Sequence, residues 1–579
     1  MSAIDRAIGG TKDLLFDYDT EVQVEKGLLA IFTIIYGICV ITPFLFLIYQ
    51  TFTVQSLTIS FEHNFTLEHW ADVLTDTTVR SILFNTFLYV LGAVIISHVL
   101  GFTFAYIITR MEIPYRNVFH TLMFLPIFVS PLILALGYSF SFVRGGFYYT
   151  FLELLPVVDG FHITNLKGMI FVGSLELVPF AYSFLSAGLR NIDPDMEDMA
   201  KLTGATELTV LREVTIPLLK PFLLSSLLLT ALWSLQAVST PIILGLPDRT
   251  YILSTYIIGL TGITTPAPFG RMAVIGVILI VLTSIMVIAL NRLIGDVSEY
   301  TVITGRRSTR NIYTPTRYKI AAMSVLGGYI FLFLIVPFLQ VLGVAFTEPN
   351  SIVPVWESDL SLRWFEDLYN SDTSKLAIRN SVVISVITAS GTVVLTGLMA
   401  YMSLRIRSVT SRFLDFVMWF PIATPGVVLG IAYLLTAVVL DIGLYGTIWI
   451  LMLAFFIRLS ALGMRMNSSL LAQQSEEIDE QGEVCGATMF SRLRHIIFPN
   501  AKEGMLAIWV LLFLMFMSEL STSFFLYTSN SRVLTVTVFE FWQTGQMGPL
   551  AALATVQVLI VSGIILFFLK GFDIEMRAV

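Results

Sequence analysis

The chain has 579 residues, of which 34 are basic and 41 acidic; its net charge is −7, 56% of it is apolar and only 13% is charged. A soluble globular chain carries roughly twice that charged share, while twelve membrane spans of about 20 residues would use roughly 240 positions, well within the apolar total. This excludes an ordinary water-soluble enzyme and a disordered chain, and with two cysteines and no basic excess it excludes a disulfide scaffold or a nucleic-acid module.

Residues 1–26 gather Asp5, Asp13, Asp17, Asp19, Glu21 and Glu25 and read as a cytoplasmic tail without an assigned function. The first apolar run, near Gly27, is too long for the core of a cleavable signal, so none is expected. Six spans are predicted at about 27–52, 81–109, 117–143, 168–189, 221–246 and 272–291. Six more follow at about 320–347, 380–404, 416–440, 442–457, 503–528 and 550–569, the run before Arg458 being short for a full crossing. The chain thus divides into a tail (1–26), a first half (27–293), a linker rich in Arg, Ser and Thr (294–317) and a second half (318–579). With the N-terminus inside, 25 of the 34 Lys and Arg fall on the cytoplasmic side, a bias that predicts a multi-pass protein of the cell membrane with both termini cytoplasmic. Cys39 lies in an apolar run and Cys485 in a polar loop, so no bridge joins them.

The halves repeat. Trp70 matches Trp364, Asn85 matches Asn380, Ala105-Tyr106 matches Ala400-Tyr401 and Leu125-Pro126 matches Phe420-Pro421 at offsets of 294 or 295, after which Gly204 with Gly486 and Pro217 with Pro499 match at 282. The change of offset places extra residues in the first half, over Gly145 to Leu166. Each half holds an even number of spans, so the halves run parallel, related by an axis along the membrane normal.

The most informative polar segments lie between the fourth and fifth spans of each half. One carries Glu197, Asp198, Ala200 and Gly204, then Ile216-Pro217; the other carries Asp479, Glu480 and Gly486, then Ile497-Phe498-Pro499. Each reads as a short helix opened by acids that suit its N-terminal dipole, broken at glycine, resumed, and stopped by proline before the next span. Two copies with the same glycine-to-proline spacing, at matched places in a duplicated chain, predict two cytoplasmic docking handles.

These loops resemble the signature of the permease subunits of ATP-binding-cassette importers: E-A-A, three residues, G, nine residues, I-x-L-P. Asp198-Met199-Ala200 and Glu480-Gln481-Gly482 stand where E-A-A would, and the glycine and proline agree in both copies. Further on, Glu519 to Tyr527, Arg532 to Thr535, Phe541-Trp542 and Gly545 to Gly548 resemble the fused double permeases of the iron(III) import type, as does the stretch from Pro241 to Thr255. The resemblance spans nearly the whole chain. It implies an all-α integral membrane fold of about twelve helices in two parallel six-helix repeats, the type I importer permease fold. It also implies two copies of a cytoplasmic ATPase subunit as partners, an extracytoplasmic solute-binding protein, and a lipid bilayer around the chain. ATP and magnesium would be used by the ATPase, with no cofactor or metal bound by this chain and no catalytic residue in it. Consistent with that, no G-x-x-x-x-G-K-[ST] loop occurs. The cargo implied is iron(III), with thiamine, phosphonate or another small solute behind it. An ion-coupled secondary transporter of twelve spans is the alternative from another class.

Charges inside spans are costly, so each is a functional candidate. Glu519 falls within the eleventh span and Glu176 within the fourth, where the repeat sets it opposite Arg458, suggesting an ion pair across the axis with the alternative that Arg458 marks the end of a short span. Ser239-Thr240 and Ser521-Thr522 match in the fifth and eleventh spans and either line a passage or bond between helices. His98 and His120 read as packed or backbone-bonded, and no His, Cys, Asp and Glu spacing suggests a metal site.

Overall fold

A computed structural model describes residues 4–53, 65–153, 162–263, 267–294, 315–348, 357–406, 408–441 and 443–571, with most side chains from Gln23 onward. Most of the predicted linker, 295–314, lies outside the described residues. Among them every regular element is helical, and the isolated bridges Thr53–Phe65 and Thr347–Leu360 sit at matched places in the repeat. Among the described residues ten helices are long and apolar enough to cross a membrane, or up to twelve crossings when each of two bent pairs is counted as one. The chain is an all-α integral membrane protein.

The bends fall where the sequence reading had unbroken spans at 117–143 and 416–440. Arg116–Phe128 meets Pro131–Ser141 at 96°, and Val409–Ala423 meets Gly426–Leu440 at 108°. Proline causes both, because Pro131 and Pro425 stand at the start of the second segment, force the preceding residue out of the helical region and supply no N–H to continue the ladder. The short run at 442–457 becomes the helix Ile448–Leu471, with Arg458 near its middle rather than at its end. The hydropathy window broke on that one charge. One helix runs Ile4–Gln50, through most of the predicted tail and the first span.

The repeat holds element by element. Thr77–Arg110 and Asp372–Arg405 are both 34 residues long and 295 apart; Leu166–Asn191, Pro194–Leu202 and Ile216–Leu235 have counterparts 282 on at Ile448–Leu471, Glu476–Val484 and Phe498–Met517. The tryptophan match is off by one. Glu68–Thr75 and Arg363–Asn370 align His69 with Trp364 and Trp70 with Phe365. His69 Nε2 lies 3.0 Å from the Thr53 carbonyl, Trp364 Nε1 donates to the Thr347 carbonyl at 2.9 Å, and each ring covers a glycine of the last helix of its half, Gly270 or Gly548, where a Cβ would strike it.

The halves exchange their first spans. Ile4–Gln50 packs on Gly426–Leu440 and Val409–Val417 of the second half, while Val336–Ala345 packs on Pro131–Ser141 of the first. Matched tyrosines fix the exchange: Tyr138 donates to the Phe333 carbonyl at 2.7 Å and Tyr433 to that of Cys39 at 2.8 Å. Tyr36 adds a hydroxyl pair with Ser460 at 2.7 Å. The apolar core runs through both halves without a break.

Candidate functional site

The two loop helices lie at the same end of the bundle. Asp193 caps Pro194–Leu202 by accepting from the Asp195 N–H, and Ser475, its match, caps Glu476–Val484 by accepting from Glu477. Both helices end as the sequence requires, on a glycine in the left-handed region, Gly204 at φ +91 and Gly486 at φ +77. The closing bonds run from Ala205 N–H to the Ala200 carbonyl and from Ala487 N–H to that of Gly482, at 3.1 and 3.0 Å.

Proline does not stop the resumed helix, contrary to the sequence reading. Glu207–Val210 passes through a wide turn, Leu211–Thr215, into Ile216–Leu235, and Met489–Arg492 passes through Leu493–Ile497 into Phe498–Met517. Before each proline an N–H reaches five residues back, Ile216 to Leu211 and Phe498 to Leu493, and this wider turn lets Pro217 and Pro499 enter without ending the helix.

The acids singled out in these loops divide by direction. Glu197 and its match Asp479 are buried, and each meets the arginine that ends the second span of its half. Arg110 donates to Glu197 at 3.2 Å and Thr215 adds a bond at 2.9 Å; Arg405 pairs with Asp479, which also accepts from Tyr401 at 2.9 Å. These carboxylates clamp the loop to the bundle. Glu480, Gly204, Gly486, Pro217 and Pro499 are exposed, and Asp198 and Ala200 are half-buried. Outward-facing apolar side chains recur at matched places: Met196 with Ile478, Leu202 (86% exposed) with Val484 (89%), and Leu208 with Phe490. A paired apolar patch on otherwise polar helices marks an interaction surface. The sequence reading dwelt on the acids and missed these residues, although the offset of 282 pairs them.

The candidate pathway residues form two clusters. Arg458 Nε donates to Glu519 Oε2 at 2.8 Å, and Glu519 Oε1 accepts from Ser521 at 2.5 Å and from the Thr522 N–H and hydroxyl at 3.0 and 3.1 Å. Glu519 sits in the turn after Phe498–Met517, not within a span, and the Ser518–Thr522 turn wraps its carboxylate. Gly426, at the 108° bend, lies against the Arg458 guanidinium and Ser521, where a Cβ would collide. In the first half Thr240 donates to the Glu176 carboxylate. The proposed Glu176–Arg458 pair is therefore not formed, because Glu519 lies closer to hand and satisfies the guanidinium. Ser239 and Thr240 also lie beyond the end of their span, in the short helix Ser239–Gly245. His98 bonds to the Val94 carbonyl and to Ser226, both at 2.9 Å, and His120 meets Tyr182. Among the described residues no three His, Cys, Asp or Glu side chains converge as a metal site would require.

Residues 98–298 and 392–572 match the family described as binding-protein-dependent transport system inner membrane component. The chain belongs to that family. The two matched stretches fall one in each half, so this permease carries the family's unit twice. Its relatives include the ferric transport system permease protein FbpB of Actinobacillus pleuropneumoniae, 25% identical over 91% of this chain and 76% of that one. The Fe(3+)-transport system permease protein FbpB 2 of Haemophilus influenzae is 24% identical over 94% of this chain and 98% of its own. A solved bacterial ABC transporter that imports the acidic polysaccharide alginate aligns with 50% of this chain and 98% of its own at 17% identity and a TM-score of 0.34, too distant to bear on function. The permease is an ABC importer component, and the ion-coupled carrier weighed as an alternative belongs to another class.

Three further charged residues were missed in the sequence. Glu25, Glu483 and Arg492 join Arg405 and Asp479 in one network in which Glu25, Asp479 and Arg492 are buried, Arg492 with a side chain 1% exposed, and Arg405 and Glu483 half-buried. The departure at Gly482 from the E-A-A pattern belongs to it, since a Cβ there would press on the Arg492 and Ile496 side chains.

Proposed function

We propose that this permease passes iron(III) from an extracytoplasmic binding protein to the cytoplasm, driven by two copies of a cytoplasmic ATPase subunit that alone uses ATP and magnesium. The observation that carries the cargo reading is the near full-length similarity to two proteins named for ferric transport. The loop end of the bundle is the cytoplasmic one in this reading, with both termini on that side. Each ATPase seats one loop helix on the apolar residues Met196, Leu202 and Leu208 or Ile478, Val484 and Phe490, while Glu197 and Asp479 hold the helix to its half so that a push is transmitted to the bundle. The exchange of first spans supports a concerted motion, because moving one half drags a helix of the other.

Passage runs between the halves at the bends near Pro131 and Pro425. Glu519 with Arg458, Ser521 and Thr522 closes one wall, and Glu176 with Thr240 the other. A site that must release its cargo is better served by bonded side chains than by a chelating cluster.

The deciding experiment is uptake of labelled iron by cells with and without the chain, in competition with thiamine and phosphonates. Iron uptake that depends on the chain and resists those competitors is the expected result; uptake of a competitor alone overturns the cargo. Gly204→Pro and Gly486→Pro test the coupling, since either should abolish uptake while membrane insertion persists, and full uptake in both overturns docking by these loops.

A further inference from the structure

We propose that Glu25, on the first membrane helix, is a positioning residue for the second loop helix, so that this loop moves as one body with a helix of the opposite half while the first loop does not. The functional meaning rests on the docking reading above; the structural link does not.

Arg492 is the joint. Its Nη2 donates to Glu25 Oε1 at 3.1 Å, its Nε lies 3.1 Å from Asp479 Oδ1, and its Nη1 donates to the Ala487 carbonyl at 3.0 Å, within 3.7 Å of Glu483. One guanidinium therefore ties together the first membrane helix, the loop helix and the turn that closes it. Arg405 pairs with Asp479 and Glu483 and stands 4.0 Å from the second oxygen of Glu25. Asp479 and Glu483 already neutralise the two guanidiniums, so the third carboxylate is not needed to balance the buried charge. What Glu25 adds is a connection to a helix from the other half, where Tyr36 and the Cys39 carbonyl are already bonded to Ser460 and Tyr433.

The first loop has none of this. At the places of Glu483 and Arg492 the repeat sets Lys201 and Val210, and at that of Glu25, by the offset of 294 that matches Thr53 with Thr347, it sets Lys319, which pairs with Glu112 at 2.9 Å and so not with the loop helix. The Arg110–Glu197 pair and Thr215 fasten that loop within its own half.

The chain supplies its own probe. Cys485, exposed at the end of the second loop helix, takes a spin label in a Cys39→Ser background; Thr203→Cys, its match in the first loop, takes one once Cys485 is also replaced by serine. The full-length chain is examined in lipid nanodiscs. Glu25→Gln keeps the shape and leaves two acids against two guanidiniums, so it should fold. Loss of a charge-assisted bond should raise the mobile fraction at Cys485 about tenfold or more and leave position 203 unchanged. Arg492→Val, which installs the first half's residue, should shift the same label in the same direction. An unmoved label at Cys485 in Glu25→Gln, or equal loosening at both positions, overturns the proposal. Neither label needs an ATPase, so if Cys485 loosens as expected while Gly486→Pro leaves uptake intact, the docking reading fails and the link stands.

Discussion

In the first half the acid near the passage is Glu176, answered by one hydroxyl from Thr240; at the matched place the second half has Arg458, and the acid has moved to Glu519, ringed by Ser521 and Thr522. The loops differ in the same sense, with one ion pair clamping the first and five charged residues locking the second. Yet the second spans, the loop helices with their caps and glycine turns, and the tyrosine bridges agree across the repeat. The backbone and its apolar packing have kept the duplication, while buried charge has been redistributed, because a charge can be moved whenever its partner moves with it.

That contrast is broken most directly at Arg458. Arg458→Met leaves Glu519 buried without its cation and should lower stability by about 3–5 kcal/mol, read as unfolding of the detergent-solubilised chain. Adding Glu519→Gln should recover much of the loss, since the second charge then goes too. Glu176→Gln should cost less than about 1 kcal/mol, because an amide oxygen still accepts from Thr240. Equal losses in Arg458→Met and Glu176→Gln would mean that the halves do not differ as their side chains indicate.

Where the halves agree, matched substitutions should cost the same. Thr86 Oγ1 accepts from the Leu253 N–H at 2.9 Å and Ser381 Oγ from that of Leu534 at 2.7 Å, each capping a helix from the second span of its half. Thr86→Val and Ser381→Ala each leave a buried N–H unpaired, about 1–3 kcal/mol in the same unfolding measurement. Next come Gly204→Ala and Gly486→Ala, where a Cβ in the left-handed region should cost about 1–2 kcal/mol in each loop with nothing nearby to collide. A larger effect at Gly486 than at Gly204 would show the locked loop transmitting strain that the freer one absorbs.

Most of the fold was legible because a window of apolar residues and a proline are local signals. The duplication sharpened them, since an offset that held for glycines and prolines also held for whole helices. Three features escaped for physical reasons. Arg458 ended a span on paper because its partner is 61 residues away, and a charge looks costly until its pair is seen. Pro217 looked like a stop because the wide turn that admits it is invisible in composition. Glu25 was set aside in an acidic tail, though it faces, 467 residues on, an arginine with no charged match in the other half. The Glu197 and Asp479 positions were found, but their direction was not: an acid near a helix start suits the dipole whether it points out to a partner or inward to Arg110 or Arg405.

The smallest expected effect lies at the end of the bundle remote from the loop helices. Asp76 caps Thr77–Arg110 by accepting from the Thr78 N–H at 2.7 Å and also pairs with Arg271, whereas the second half has Ser371 as the cap and Pro549 in place of the arginine. Asp76→Ser therefore keeps a competent cap and removes only a half-exposed ion pair, worth about 0.2–1 kcal/mol. Burial by itself would raise the Asp76 carboxyl, but the bonds from Thr78 and the Arg271 guanidinium outweigh it and hold the group below its usual range. A depressed carboxyl stabilises the fold above its unfolded value and loses that contribution as pH falls through the folded one. The difference between wild type and Asp76→Ser should thus be constant near neutrality and close only in acid, below about pH 4. A difference that instead grew on acidification would mean that the Arg271 pair does not govern this carboxylate, and that the first half holds its outer end by the cap alone, as the second half does.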